Sequence, residues 1–171
     1  MPSDVPSDTP PDTSIDIGRA EVIGPIFDLW EELLGVPDGA ERTAVLDQGT
    51  GWAPTLSRLD AATASRPVAP GGTSIAAHTA HAAAYLEAFE ATLEGQGRHT
   101  AGPETFHPAV VDEVTWRQCR ERLLAVAARV GQRLRDAPRW RSEQVRGAAA
   151  NLAHLAYHLG AVRQMLIVVR G

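Results

Sequence analysis

The sequence predicts an all-α protein, a four-helix bundle with one short extra helix. Three observations carry that expectation. Four long segments repeat apolar residues at intervals of three and four, the period of a helix with one buried face. Glycine, proline and capping residues separate those segments. No stretch alternates apolar and polar residues for long enough to make a strand.

Residues 1–14 hold four prolines and three aspartates and read as a disordered or extended tail. A single helical domain is expected over 15–171. Its first helix, 15–35, is set by Ile23, Ile26, Phe27, Trp30, Leu33 and Leu34. Pro25 either kinks that helix or opens its longer half, and Gly35 and Pro37 end it. Between 36 and 72, Gly-Thr-Gly and Pro-Gly-Gly bracket one weak apolar pattern, Leu56, Leu59 and Ala62, which reads as a short helix over 54–63. Thr73 or Ser74 caps the second long helix, 73–94, an alanine-rich run that Gly95 stops. Residues 95–111 read as a long loop. The third helix, 112–136, opens near Asp112 or Thr115. It carries Trp116, Cys119, Leu123, Val126, Ala127, Val130 and Leu134 on one stripe. Ser142 is expected to cap the fourth, 142–168, whose stripe is Val145, Ala149, Leu152, Leu155, Leu159 and Val162.

Composition narrows the function. The chain has 171 residues, 44% of them apolar and 22% charged, an ordinary globular mix with enough core to fold without a metal. All 16 basic residues are arginine, so Schiff-base chemistry and a phosphate-loop lysine are excluded. The net charge of −5 and the lack of a basic stripe argue against nucleic-acid binding. Cys119 is the single cysteine, which leaves no internal disulfide and no cysteine-based zinc site. The first residues have neither the basic start nor the apolar centre of a signal peptide. No apolar run reads as long enough to span a bilayer, so no membrane partner is expected and the cytoplasm is the default location.

Histidines carry the candidate chemistry. In residues 151–164, NLAHLAYHLGAVRQ, His154 and His158 stand four apart, about 40° from each other around a helix and one turn apart along it. Two imidazoles on one stripe can reach a single metal ion, although such a pair alone is also what a half-buried polar face looks like. The second long helix offers a third histidine. His81 lies on a face with Ser74, Ala77, Tyr85 and Ala88, and small residues flank His154 and His158 as well. Two such helices facing each other make a three-histidine site with an open position, the arrangement of a catalytic rather than a structural metal. All-imidazole ligation suits zinc or nickel best.

At these residues the chain resembles the DinB-like (DinB/YfiT) superfamily of metal-dependent four-helix bundles. The resemblance rests on SIAAHTAH, on HLAYHLGAVRQ, on GTGWAPTLSRLDAATASRP before the second long helix, and on VTWRQCRERL at the start of the third. It covers most of 20–166, and the order and spacing of the motifs are more specific than any one of them. It implies a divalent metal held by His81, His154 and His158, and a homodimer. For some relatives it also implies a transferase or isomerase activity that uses a thiol. Many relatives have glutamine where this chain has Ala161, so no role of that glutamine transfers, and Gln164 lies on a different face.

The other candidates have plainer readings. His78 stands behind the ligands or at the surface rather than as a fourth ligand. His99 and His107 are solvated in the loop. Cys119 is a core thiol and Trp116 a core anchor. Tyr85 packs, with donation to a metal-bound ligand as its alternative. Arg117, Arg120, Arg122, Arg129 and Arg133 form a solvated face. The leading expectation is therefore a divalent-metal-dependent enzyme acting on a small-molecule substrate, a transferase using a low-molecular-weight thiol. A metal-dependent hydrolase is the next reading. A non-catalytic stress or interaction protein that keeps the bundle is the other alternative.

Overall fold

A computed structural model describes residues 19–35, 44–97, 99–137 and 139–170. The expected tail over 1–14, the start of the first helix before residue 19, and Pro37 lie outside the described residues. Among the described residues the fold is all-helical, with six α-helices, four of them long, and no strand.

The first helix, α1 (Arg19–Leu34), runs through Pro25 and buries Ile23, Phe27, Trp30, Leu33 and Leu34. It ends where Gly35 turns left-handed, at φ 75°. A side chain at Gly35 would meet both strain and the Pro54 ring, so this glycine lets the end of α1 rest on the next helix.

The single short helix expected over 54–63 is instead two, α2 (Trp52–Ser57) and α3 (Ala61–Ser65). Asp60 is the reason for the break. It has extended backbone geometry, and its carboxylate accepts from the Thr63 N–H, so it starts a new helix inside the expected one. Trp116 fixes the junction by donating its indole N–H to the Leu59 carbonyl at 2.8 Å, and is itself fully buried, the anchor its position suggested.

Helix α4 (Ile75–Leu93) is capped by Ser74, whose hydroxyl oxygen accepts from the Ala77 N–H at 3.1 Å. It stops at Gly95, φ 79°, with the Gly95 N–H reaching Thr92 and the Gln96 N–H reaching Ala91, the paired bonds of a Schellman ending. Residues 75–83 are buried one after another, so the first half of α4 is enclosed on all sides. The following loop is not wholly irregular, because a 3₁₀ turn spans Pro103–Thr105.

Helix α5 (Glu113–Asp136) is capped by Asp112 and buries the whole expected stripe. Helix α6 (Ser142–Arg170) corrects three expectations, one of them its stripe, where Ala149 is exposed and Val145 and Leu152 are only half-buried. Ser142 is its first helical residue rather than its cap. The Arg141 carbonyl accepts the first helical bonds, while the Gln144 side chain reaches back to the Arg141 N–H at 2.8 Å. By length and composition α6 is also apolar enough to cross a bilayer, contrary to the sequence reading. In this fold it packs within the bundle, burying Ala148, Asn151, Leu155, His158, Leu159, Val162 and Met165.

The four long helices close a ring, with α4 against α5 and α6, and α1 against the same two. The arginine face of α5 is more than a solvated surface. Arg122 pairs with Glu87 of α4, Arg129 and Arg133 grip the buried Glu90, and Arg133 also reaches Glu94. The close packing of α4 on α5 lays these flanks side by side, which periodicity within one helix does not reveal.

Candidate metal centre

The two halves of the cluster come from α4 and α6, which pack against each other. His81 on α4 and His154 and His158 on α6 converge, with ring centroids 5.1 Å (His81–His154), 4.9 Å (His81–His158) and 4.4 Å (His154–His158) apart. One ring nitrogen of each lies within 4.8 Å of the others, so the three could hold a metal ion. His81 and His158 are buried and His154 is half-buried.

The hydrogen bonds around the rings fix the free nitrogen of His81 and allow the matching one of His158 to be free. The Thr105 hydroxyl donates to the Gly102 carbonyl at 2.6 Å, so its oxygen is left to accept from the His81 Nδ1–H, also at 2.6 Å. That places the His81 proton on Nδ1 and leaves Nε2 with a lone pair. His158 Nδ1 lies 2.8 Å from His78 Nδ1, and His78 Nε2 lies 2.9 Å from the Thr73 hydroxyl. With His158 donating, the chain runs His158 to His78 to Thr73 and frees His158 Nε2. His154 Nε2 is buried with no hydrogen-bond partner. A buried polar atom left unpaired costs about 1–3 kcal/mol, and a cation coordinated there would satisfy it. These residues therefore fit a metal ion, with the second ring nitrogens of His81 and His158 engaged in the way ligating histidines require.

Aromatic rings hold the imidazoles in place. Phe106 stacks on His81 at 4.0 Å, and Tyr85 stacks on His154 at 3.6 Å. Tyr85 thus packs, as its simpler reading held. Burial, reinforced by the neighbouring imidazoles, lowers His154 to about 4 and His158 to about 3 from an ordinary 6.5. Burial also lowers His81, against the opposing charge of Glu104. All three are neutral at pH 7 and able to donate electron pairs.

His78 is buried behind His158, not at the surface. His99 and His107 are exposed. Cys119 is buried among core residues, and burial raises its thiol pKa, which suits a packing role. The sequence marks Thr73 only as a cap and gives Thr105 and Phe106 no role. The signal for the last two was slight: Gly102-Pro103, a helix-start pair inside an otherwise patternless loop. Compared with known proteins, the chain matches no family model, no curated protein and no solved structure.

Proposed function

We propose that this chain is a divalent-metal-dependent enzyme of the DinB-like class, a transferase that uses a low-molecular-weight thiol against a small electrophilic substrate. One observation carries the reading: three neutral imidazoles from two helices bring one ring nitrogen each within 4.8 Å of the others, and the buried His154 Nε2 has no hydrogen-bond partner. His81, His154 and His158 would hold the ion, with zinc or nickel the best match for an all-imidazole set. Such an ion acts as a Lewis acid and lowers the pKa of a bound thiol or water. The rest of the chemistry belongs to the chain. Thr105 and His78 hold protons on the far sides of the His81 and His158 rings. Phe106 and Tyr85 cover the His81 and His154 ring faces and limit water.

The test is activity of metal-loaded protein with several low-molecular-weight thiols against small electrophiles. Thiol-dependent turnover that is lost on metal removal supports the transferase. Turnover without thiol points to the hydrolase, and stoichiometric metal with no turnover points to the non-catalytic alternative. His158→Ala should remove most metal affinity while leaving helical content unchanged. Unaltered metal content in that variant would refute the ligand assignment.

A homodimer belongs to the same proposal. Ala150, Ala153, Tyr157 and Val168 fall within about 60° on one side of α6 and are all exposed, a face a second copy would cover. Light scattering should give twice the chain mass at micromolar concentration, and a monomer there would reject this part.

A further inference from the structure

We infer that the chain holds a second site, independent of the histidines: a pocket for a small organic anion at the carboxyl-terminal half of α6. A cavity of about 410 Å³ opens there between α6, α2 and the turn at Gly49 and Thr50. Its size falls in the range of small-molecule sites. Gly160, Arg163, Gln164, Ile167 and Arg170 line it from α6, roughly 100–160° around that helix from His154 and His158. Arg58 faces them from the end of α2.

Three arginines thus line one cavity in a protein of net charge −5. Their charge is poorly answered. Asp47, 90% exposed, approaches Arg163 only to 3.6 Å. Among the described residues no carboxylate is paired with Arg58 or Arg170. Asp60 feels Arg66 and then Arg170 electrostatically, but comes within ion-pair distance of neither among the described residues. Arg170 also donates to the Arg58 carbonyl at 3.2 Å, which holds it beside a second cation. Like charges gathered this way repel, and an anion that bridges them removes the repulsion. A guanidinium fork binds carboxylate and phosphate alike, through paired charge-assisted hydrogen bonds. Ile167, 67% exposed, and Leu166 add an apolar wall. The ligand class is therefore a carboxylate or phosphate monoester that carries an apolar group.

Gly160 supplies a clean test, because a Cβ added there meets no atom within 4 Å. Gly160→Leu should fill the pocket while leaving every arginine in place, and should also strengthen α6 by removing a mid-helix glycine. Phenyl phosphate, benzoate and inorganic phosphate would each be titrated into the full chain at low salt and followed by amide shifts. The expected result is saturable shifts at Gly49, Thr50 and Gly160, with phenyl phosphate or benzoate tighter than inorganic phosphate. The tighter of those two assigns the head group. Gly160→Leu should abolish the shifts with melting temperature unchanged or raised. Arg58→Gln should weaken binding by about tenfold or more, the worth of a charge-assisted bond, and Arg117→Gln on α5 should leave it unchanged. No saturable shift up to tens of millimolar, or equal weakening by Arg117→Gln, overturns the proposal. None of these readouts involves metal or turnover, so the pocket can fail while the metal centre stands, and the reverse.

Discussion

At the scale of single residues, the cluster depends on which nitrogen carries each proton. Thr105 sets that choice for His81. Thr105→Val keeps the shape and loses the acceptor, and should weaken metal binding by about 10- to 100-fold with little change in fold. Competition against a chromophoric chelator measures this, and unchanged affinity would show that Thr105 has no such role. Protonation gives a second prediction, for metal-free protein. His154 and His158 titrate at about 4 and about 3 when folded but near 6.5 when free. As pH falls below 6.5 the unfolded chain takes up protons that the folded chain refuses. Their contribution to stability is therefore complete above about pH 6.5 and is lost on acidification. The slope reaches about 2.7 kcal/mol per pH unit when both unfolded histidines are charged. It ends once the folded histidines also protonate. Urea midpoints at pH 7, 6 and 5 should fall in that order, and a flat profile would contradict the burial of these rings.

At the scale of elements, caps and loops decide how well the site is held. Ser74 accepts from Ala77 at the start of α4 and donates to the Ala109 carbonyl at 2.5 Å, so one hydroxyl ties the helix to the loop that carries Phe106. Ser74→Ala should cost about 1–2 kcal/mol in chemical denaturation, toward the upper end for a lost cap. A change within experimental error would mean that water replaces both bonds. Ser74 was legible in the sequence, as were Asp112 and Gly95, because caps act on their own chain neighbours. His81, His154 and His158 were legible as a pattern on two helices, since helical spacing alone fixes which face each shares. The break at Asp60 was missed because the apolar pattern over Leu56, Leu59 and Ala62 is too short to outweigh one capping carboxylate. The Gln144 cap was missed for a similar reason, since Ser142 is the stronger capping residue type. Thr105 and Phe106, apart from the slight Gly102-Pro103 signal, and the grip of Arg129 and Arg133 on Glu90 leave no pattern in the sequence. Their partners lie 24 or more residues away in sequence and no periodicity marks them.

At the scale of the whole molecule, the core is complete without an ion, yet an ion that binds only the folded chain adds to its stability. At a hundredfold excess over its dissociation constant, zinc or nickel should add about 2.7 kcal/mol. For a chain of this length that corresponds to a rise of about 5–10 °C in melting temperature. Calorimetry should show that rise in the native chain and not in His158→Ala, and an equal rise in both would place the metal elsewhere.

The alanines of α4 have a consequence for which ion could be chosen. Ala76, Ala77, Ala80, Ala82 and Ala83 are all fully or almost fully buried in the stretch that carries His81. An alanine side chain has no rotamers, so these five cannot swing aside or stretch to suit a guest. The gap between His81 and the pair on α6 is thus a dimension of the main chain, as rigid as the helices that bound it. For an ion held by these three histidines, such a chain would work as a caliper for ionic radius. One added methyl at a facing alanine would reset the jaw before it altered any ligand.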